Sequence, residues 1–157
     1  MIIRKAKKED FEEYLKLQIE FMDYINQISP ELTAKPNKNK LKLNYLKDLK
    51  NKNELILILE ENNIIIGFID GGIQKIHNSG WIHKFNKVGY ISDVFIQKEY
   101  RKKGYFKKAL KHLLNFFKKK GIIYCNLHVN IENKAAIQAY EKNGFKILNY
   151  KMWKKIK

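Results

Sequence analysis

Apolar residues at Phe11, Tyr14, Leu15, Ile19, Met22 and Ile25 recur three and four positions apart, the spacing that draws one stripe along a helix. The pattern predicts a short strand at Ile2 to Arg4, then an amphipathic helix from Lys8 through Ile28 that Pro30 closes. A weaker stripe of Leu41, Tyr45, Leu46 and Leu49 predicts a helix over Lys38 to Lys50, after a loop from Ser29 to Asn37. At Glu54 the period changes. Glu54 to Glu60 and Ile64 to Ile76 are isoleucine-rich runs on either side of Glu61-Asn62-Asn63, which reads as a hairpin. Gly67, Gly71 and Gly72 mark candidate bends or a bulge in its second strand. After a loop from His77 to Asn86 come a strand at Val88 to Ile96 and a helix at Lys103 to Lys119, with Phe106, Leu110, Leu113, Leu114 and Phe117 on its apolar face. Gly121 ends that helix. Ile122 to Val129 reads as a nearly continuous apolar strand, Asn133 to Lys142 as a short helix, and Phe145 to Lys154 as a closing strand or strand pair. This order is that of an α/β domain with at least one right-handed crossover.

Composition narrows the class. At 157 residues, with Pro30 and Pro36 the only prolines and no Gly/Ser-rich run, one domain is expected. The longest apolar runs, Leu55 to Leu59 and Ile64 to Ile66, are far shorter than the roughly 20 residues of a membrane span. The start Met-Ile-Ile-Arg-Lys lacks a secretory signal, and a lone Cys125 excludes an internal disulfide, so a reducing, cytoplasmic setting is expected. The net charge of +16 comes almost wholly from lysine, since Arg4 and Arg101 are the only arginines. Nucleic acid, anionic membrane and phosphorylated ligands all suit such a charge. Readers of bases favour arginine's planar fork, so a lysine excess argues against sequence-specific recognition. Coding DNA rich in A and T would give the same abundance of Lys, Asn and Ile.

The most informative segment runs from Val94-Phe95-Ile96 through Gln97-Lys98-Glu99-Tyr100 to Arg101-Lys102-Lys103-Gly104-Tyr105-Phe106, a strand leading through a basic turn into a helix. The first N–H groups of a helix lack intrahelical partners and its dipole adds positive potential, so the turn suits a pyrophosphate. Gly104 allows close approach of the backbone, and Arg101, Lys102 and Lys103 add charge. Alone, the run also reads as a basic loop before a surface helix. A later segment, Leu127-His128-Val129 followed by Asn133 through Phe145, gives a strand, a helix with small residues on one side, and a Gly stop.

With both segments in view, the sequence resembles the GNAT superfamily of N-acetyltransferases, whose pyrophosphate turn reads Arg/Gln-x-x-Gly-x-Gly/Ala. The family's later pattern of Asn, Ala, Tyr and Gly-Phe matches Asn133, Ala136, Tyr140, Gly144 and Phe145. The turn departs in one place. Phe106 replaces its last small residue, and that side chain must point into the core beside Leu110. The resemblance implies an α/β GNAT fold over residues 1–157, with a mixed central sheet of about six or seven strands flanked by about four helices. It implies acetyl-CoA as donor, held by Val94, Phe95, Ile96, Arg101, Lys102, Lys103, Gly104, Tyr105, Phe106, Asn133, Ala136 and Tyr140. Backbone groups of Val94 and Ile96 would bind the pantetheine arm like an added strand, with the Ile96 N–H polarising the thioester carbonyl.

By the same resemblance Tyr140 is the general acid for the departing thiolate. An alkylammonium acceptor needs a proton acceptor in turn, for which Asp93 is the first candidate and Asp70 the second. Alternation puts Asp93 and Phe95 on the face opposite Val94 and Ile96. Glu20, Asp23 and Gln27 share one helical face and would attract a cationic amine if they cluster. His77, His83, His112 and His128 show no metal-ligand spacing, so no metal is expected. His128 is a candidate for lining the cofactor cleft and Trp81 for stacking on an acceptor, beside plainer roles in packing. The expected partners are acetyl-CoA and a primary amine of a small molecule or protein, with no membrane, and with a monomer or homodimer equally open. The alternatives are a catalytically inactive, CoA-binding regulatory domain of the same fold and a basic RNA- or ribosome-associated protein, which accounts for the charge but for neither motif.

Overall fold

The computed structural model describes residues 1–30, 35–76 and 85–156. In chain order these form β1 (Ile2–Lys5), α1 (Phe11–Ile28), α2 (Lys38–Lys50), β2 (Glu54–Glu61), β3 (Ile64–Lys75), β4 (Lys87–Ile96), α3 (Tyr105–Lys119), β5 (Cys125–Leu127) and α4 (Lys134–Glu141). Trp81, His77 and His83 lie outside the described residues.

The strands form one sheet in the order β1-β2-β3-β4-β5, antiparallel except for the parallel β4–β5 pair. The β2–β3 turn follows from chemistry. Asn62 and Asn63 have φ of +51° and +62°, the paired left-handed geometry of a two-residue hairpin, which asparagine tolerates better than most residues. Side-chain alternation then divides the core between two faces. On one, Leu55, Leu57, Leu59, Ile69, Ile91 and Ile96 pack against Leu110, Leu113 and Phe117 of α3. On the other, Ile56, Ile58, Phe68 and Phe95 pack against Phe11, Tyr14 and Leu15 of α1 and Tyr45 of α2. Arg4 ties β1 to the start of α1, donating to both Asp10 oxygens at 2.7 and 2.9 Å and to Glu60 at 2.8 Å. That contact holds the Asp10 carboxyl below its usual range.

Three expectations need correction. The inward stripe of α1 takes in Gln18, 4% exposed, whereas Ile19 is 39% exposed. The strand expected over Ile122 to Val129 shrinks to Cys125–Leu127, because β5 pairs with β4 only from Gly89 to Ile91. The closing strand expected at Phe145 to Lys154 forms no ladder, and Leu148, Met152 and Trp153 are exposed. Three residues of β5 offer few backbone groups for such a strand to pair with. The sheet of the described residues therefore has five strands, not six or seven, with four helices. Among the described residues no helix is long and apolar enough to cross a membrane.

Candidate active site

One extra residue in β4 shapes the site. Gly71 lies opposite Ile91 and Ile69 opposite Val94, so Ser92 and Asp93 of β4 share the single residue Asp70 of β3. Such a bulge reverses the direction in which backbone groups point. Before it, the Gly89 N–H donates to the Tyr124 carbonyl at 2.9 Å, on the β5 side. After it, the Gln97 N–H donates to the Ile66 carbonyl at 3.0 Å, on the β3 side. Alternation from Gln97 then turns the peptide groups of Val94 and Ile96 away from β3, toward a flank that β5 no longer occupies. The result is a gap in the pairing of β4 and β5 beyond Ile91. Phe95 must be corrected: its side chain is buried under α1 and its peptide groups face Phe68, so of the Val94 to Ile96 trio only Val94 and Ile96 present backbone to the gap.

The turn from Arg101 to Phe106 opens α3 at the end of that strand. Gly104 is the helix's N-cap with φ +75°, no side chain caps the first turn, and a Cβ built on Gly104 would meet nothing within 4 Å. The first amides of α3 thus lack intrahelical partners beside open space. The flanking side chains are placed less simply. Arg101 Nε donates to the Ile96 carbonyl at 2.7 Å, with its guanidinium over the rings of Tyr24 and Phe95. Lys103 lies over Tyr100, the Tyr105 hydroxyl donates to Glu61, and Lys102 is exposed. Phe106 packs against the α3 core and stands edge-on to Tyr140, as its size required. Asn133 is buried as the N-cap of α4, its oxygen accepting from the Ala136 N–H and the Tyr24 hydroxyl, both at 3.2 Å. Ser29, the C-cap of α1, likewise accepts from the Asn130 side-chain amide. These two contacts carry the end of α1 across to the segment that follows β5.

Tyr140, near the end of α4, packs edge-on between Phe106 and Phe145 with ring centroids 5.3 and 5.4 Å away. Burial, then the charge of Asp93, pushes its hydroxyl up to about 12. Asp93 belongs to a network that sequence reasoning only half found. Asp70 accepts the Asp93 N–H at 2.7 Å and the Tyr14 hydroxyl at 2.9 Å. Gln18 Nε2 donates to the Tyr14 oxygen at 2.7 Å and to the Asp93 carboxylate at 3.3 Å. Burial, and for Asp70 the neighbouring Asp93, holds both carboxyls above the ordinary carboxylate range. Tyr14 and Gln18 were missed as functional candidates. The available signal was a polar Gln18 four residues after Tyr14 on an apolar helix face.

A cavity of about 630 Å³ lies between α1 and the β4–α3 turn, lined among others by Glu20, Asp23, Tyr24, Gln27, Phe95, Glu99 and Arg101. The three α1 residues picked out from the sequence therefore do share one wall. His112 and His128 enter none of these contacts.

The sheet, the split beyond Ile91 and the helix opening on it together define the α/β GNAT fold. The chain belongs to the acetyltransferase (GNAT) family, whose family model matches residues 4–145. Among its relatives, spermidine N(1)-acetyltransferase of Thermoplasma acidophilum is 27% identical over 152 residues, 92% of this chain and 88% of that protein. A predicted acetyltransferase from Clostridium acetobutylicum with acetyl-CoA superposes with a TM-score of 0.73 at 23% identity, covering 99% of this chain and 95% of the other. The aminoglycoside N-acetyltransferase AAC(6')-Iy, in complex with a CoA–acetylneamine bisubstrate analog, gives 0.76 at 17% identity over 99% and 97%.

Proposed function

We propose that this chain transfers an acetyl group from acetyl-CoA to a primary amine by direct attack of the amine on the thioester. The observation that carries this reading is the pair of outward-facing peptide groups at Val94 and Ile96, followed along the chain by the uncapped amides of α3 at Gly104. The first are a row of partners for the amides of a pantetheine arm, and the second suit a pyrophosphate. In this reading the Ile96 N–H, left free by the Arg101 contact at the carbonyl, polarises the thioester. By the family resemblance, Asn133 and Ala136 would meet the same donor from the start of α4, whose N-cap is Asn133.

In the reaction a C–N bond forms, the C–S bond breaks, one proton leaves the amine and one reaches sulfur. Asp93, its carboxyl raised above the ordinary carboxylate range by burial, receives the first, directly or through water. Tyr140 serves the second. A thiol has a pKa of about 8.5, so a complete transfer from a hydroxyl near 12 would be uphill by roughly 5 kcal/mol. Tyr140 therefore acts chiefly as a hydrogen-bond donor to the sulfur as charge grows there, and the thiolate takes its proton from water as it leaves. In the lining of that cavity Glu20, Asp23 and Glu99 outnumber the cations Lys98 and Arg101, which supports a cationic acceptor, as does the spermidine in the name of the Thermoplasma relative.

Calorimetry with acetyl-CoA and a thiol-release assay over a panel of amines test this reading. The expected result is binding, with turnover strongest on alkyl polyamines. Binding without turnover on any amine would favour the regulatory alternative, and no binding would favour the RNA reading.

A further inference from the structure

The bulge in β4 raises a problem of unpaired backbone that the structure solves with a side chain. Where two residues of one strand face a single residue of the next, one N–H loses its ladder partner, and an unpaired amide inside a protein is destabilising. Here the N–H at issue is that of Asp93, and a carboxylate oxygen of Asp70 accepts it at 2.7 Å. The other oxygen of Asp70 accepts the Tyr14 hydroxyl at 2.9 Å, so the carboxylate is fixed from α1 as well. Tyr14 is itself fixed, 5% exposed, with its ring against Tyr45 and Phe68. Nor is there slack between the strands at this point. A Cβ on Gly71, next to Asp70, would lie 2.3 Å from the Tyr90 carbonyl oxygen, so the two strands approach closely beside the bulge.

The consequence reaches two residues along. Peptide groups of β4 that face β5 are those of Gly89 before the bulge and of Val94 and Ile96 after it. Were the bulge to slip out, the groups of Val94 and Ile96 would turn to β3 and those of Phe95 would face the gap, with every side chain beyond Ile91 exchanging faces. Phe95, now under α1, would then be driven toward α3.

We propose that Asp70 is a positioning residue for the acyl donor: anchored by Tyr14, its carboxylate holds the β4 bulge and thereby aims the Val94 and Ile96 peptide groups into the gap. The inference rests on the reading that the gap receives acetyl-CoA. It assigns Asp70 no contact with either substrate.

The test compares acetyl-CoA affinity by calorimetry with exchange of the Asp93 amide proton, read by NMR, in the wild type, Asp70→Asn, Asp70→Ala and Tyr14→Phe. Asparagine keeps an oxygen for the Asp93 N–H, so Asp70→Asn should hold acetyl-CoA within about twofold of wild type and keep that amide protected. Asp70→Ala should weaken acetyl-CoA about tenfold or more and expose the amide to exchange, while Tyr14→Phe, which retains the ring, should fall between. Wild-type affinity together with a protected Asp93 amide in Asp70→Ala overturns the proposal. Should Asp70→Ala fail to fold, the same pair of results in Tyr14→Phe overturns it. A wild type that binds no acetyl-CoA would instead sink the donor reading, while amide exchange would still decide whether Asp70 holds the bulge.

Discussion

At Tyr140 one hydroxyl can be removed without disturbing its neighbours, because Phe106 and Phe145 contact the ring. Tyr140→Phe should lower kcat by about tenfold or more, with acetyl-CoA affinity and melting temperature nearly intact, in a thiol-release assay run beside calorimetry. Asp70 makes a prediction about pH. Its folded-state pKa is raised, so the fold binds its proton more tightly than the unfolded chain does, and the stability this contributes is full below the ordinary carboxylate range and lost as pH rises above it. Urea melts of wild type and Asp70→Asn should nearly agree at about pH 4 and diverge in favour of Asn by more than about 1 kcal/mol near pH 8. At this scale the sequence showed what local spacing can show. Tyr140 fell in the family's pattern, Asp93 was a candidate for its place just before Val94, and Asp70 for its place on the neighbouring strand. Tyr14 and Gln18 were not candidates, since only the fold brings α1 onto the two carboxylates.

Helices and hairpin were legible almost to their ends, since α2 spans Lys38–Lys50 as its stripe predicts and Asn62-Asn63 supplies the turn. What one chain's pattern cannot carry is pairing. The bulge arises because β4 is one residue out of step with β3, and β5 is short because β4 leaves it at Ile91, so neither shows in the hydropathy of either strand. Gly104 and Gly121 offer a controlled comparison between elements. Both have left-handed backbone, φ +75° and +72°, and a Cβ on either would meet nothing within 4 Å. Gly→Ala should therefore cost each a similar amount, about 1 kcal/mol, in thermal or urea unfolding. Only Gly104 opens the helix beside the gap, so Gly104→Ala should weaken acetyl-CoA by about tenfold or more while Gly121→Ala leaves it unchanged. Equal affinities in the two variants would remove the turn from the binding site.

Across the whole molecule the charge of +16 acts as a field rather than as a set of contacts. An anionic donor should feel it: acetyl-CoA affinity should fall several-fold between about 50 and about 500 mM salt, as the Debye length shrinks. An affinity indifferent to salt would confine the binding energy to backbone groups. Polycationic acceptors should respond in the opposite sense, their KM improving as salt screens the repulsion. The contacts of Ser29 with Asn130 and of Tyr24 with Asn133 give the gap one more property. With β4 and β5 joined at Ile91 and the end of α1 tied to the segment beyond β5, the gap is bounded at one end and bridged by α1, like the eye of a needle. A long, flexible carrier would enter and leave it lengthwise, so loosening either lashing should speed the departure of spent carrier more than it alters the bond-making step.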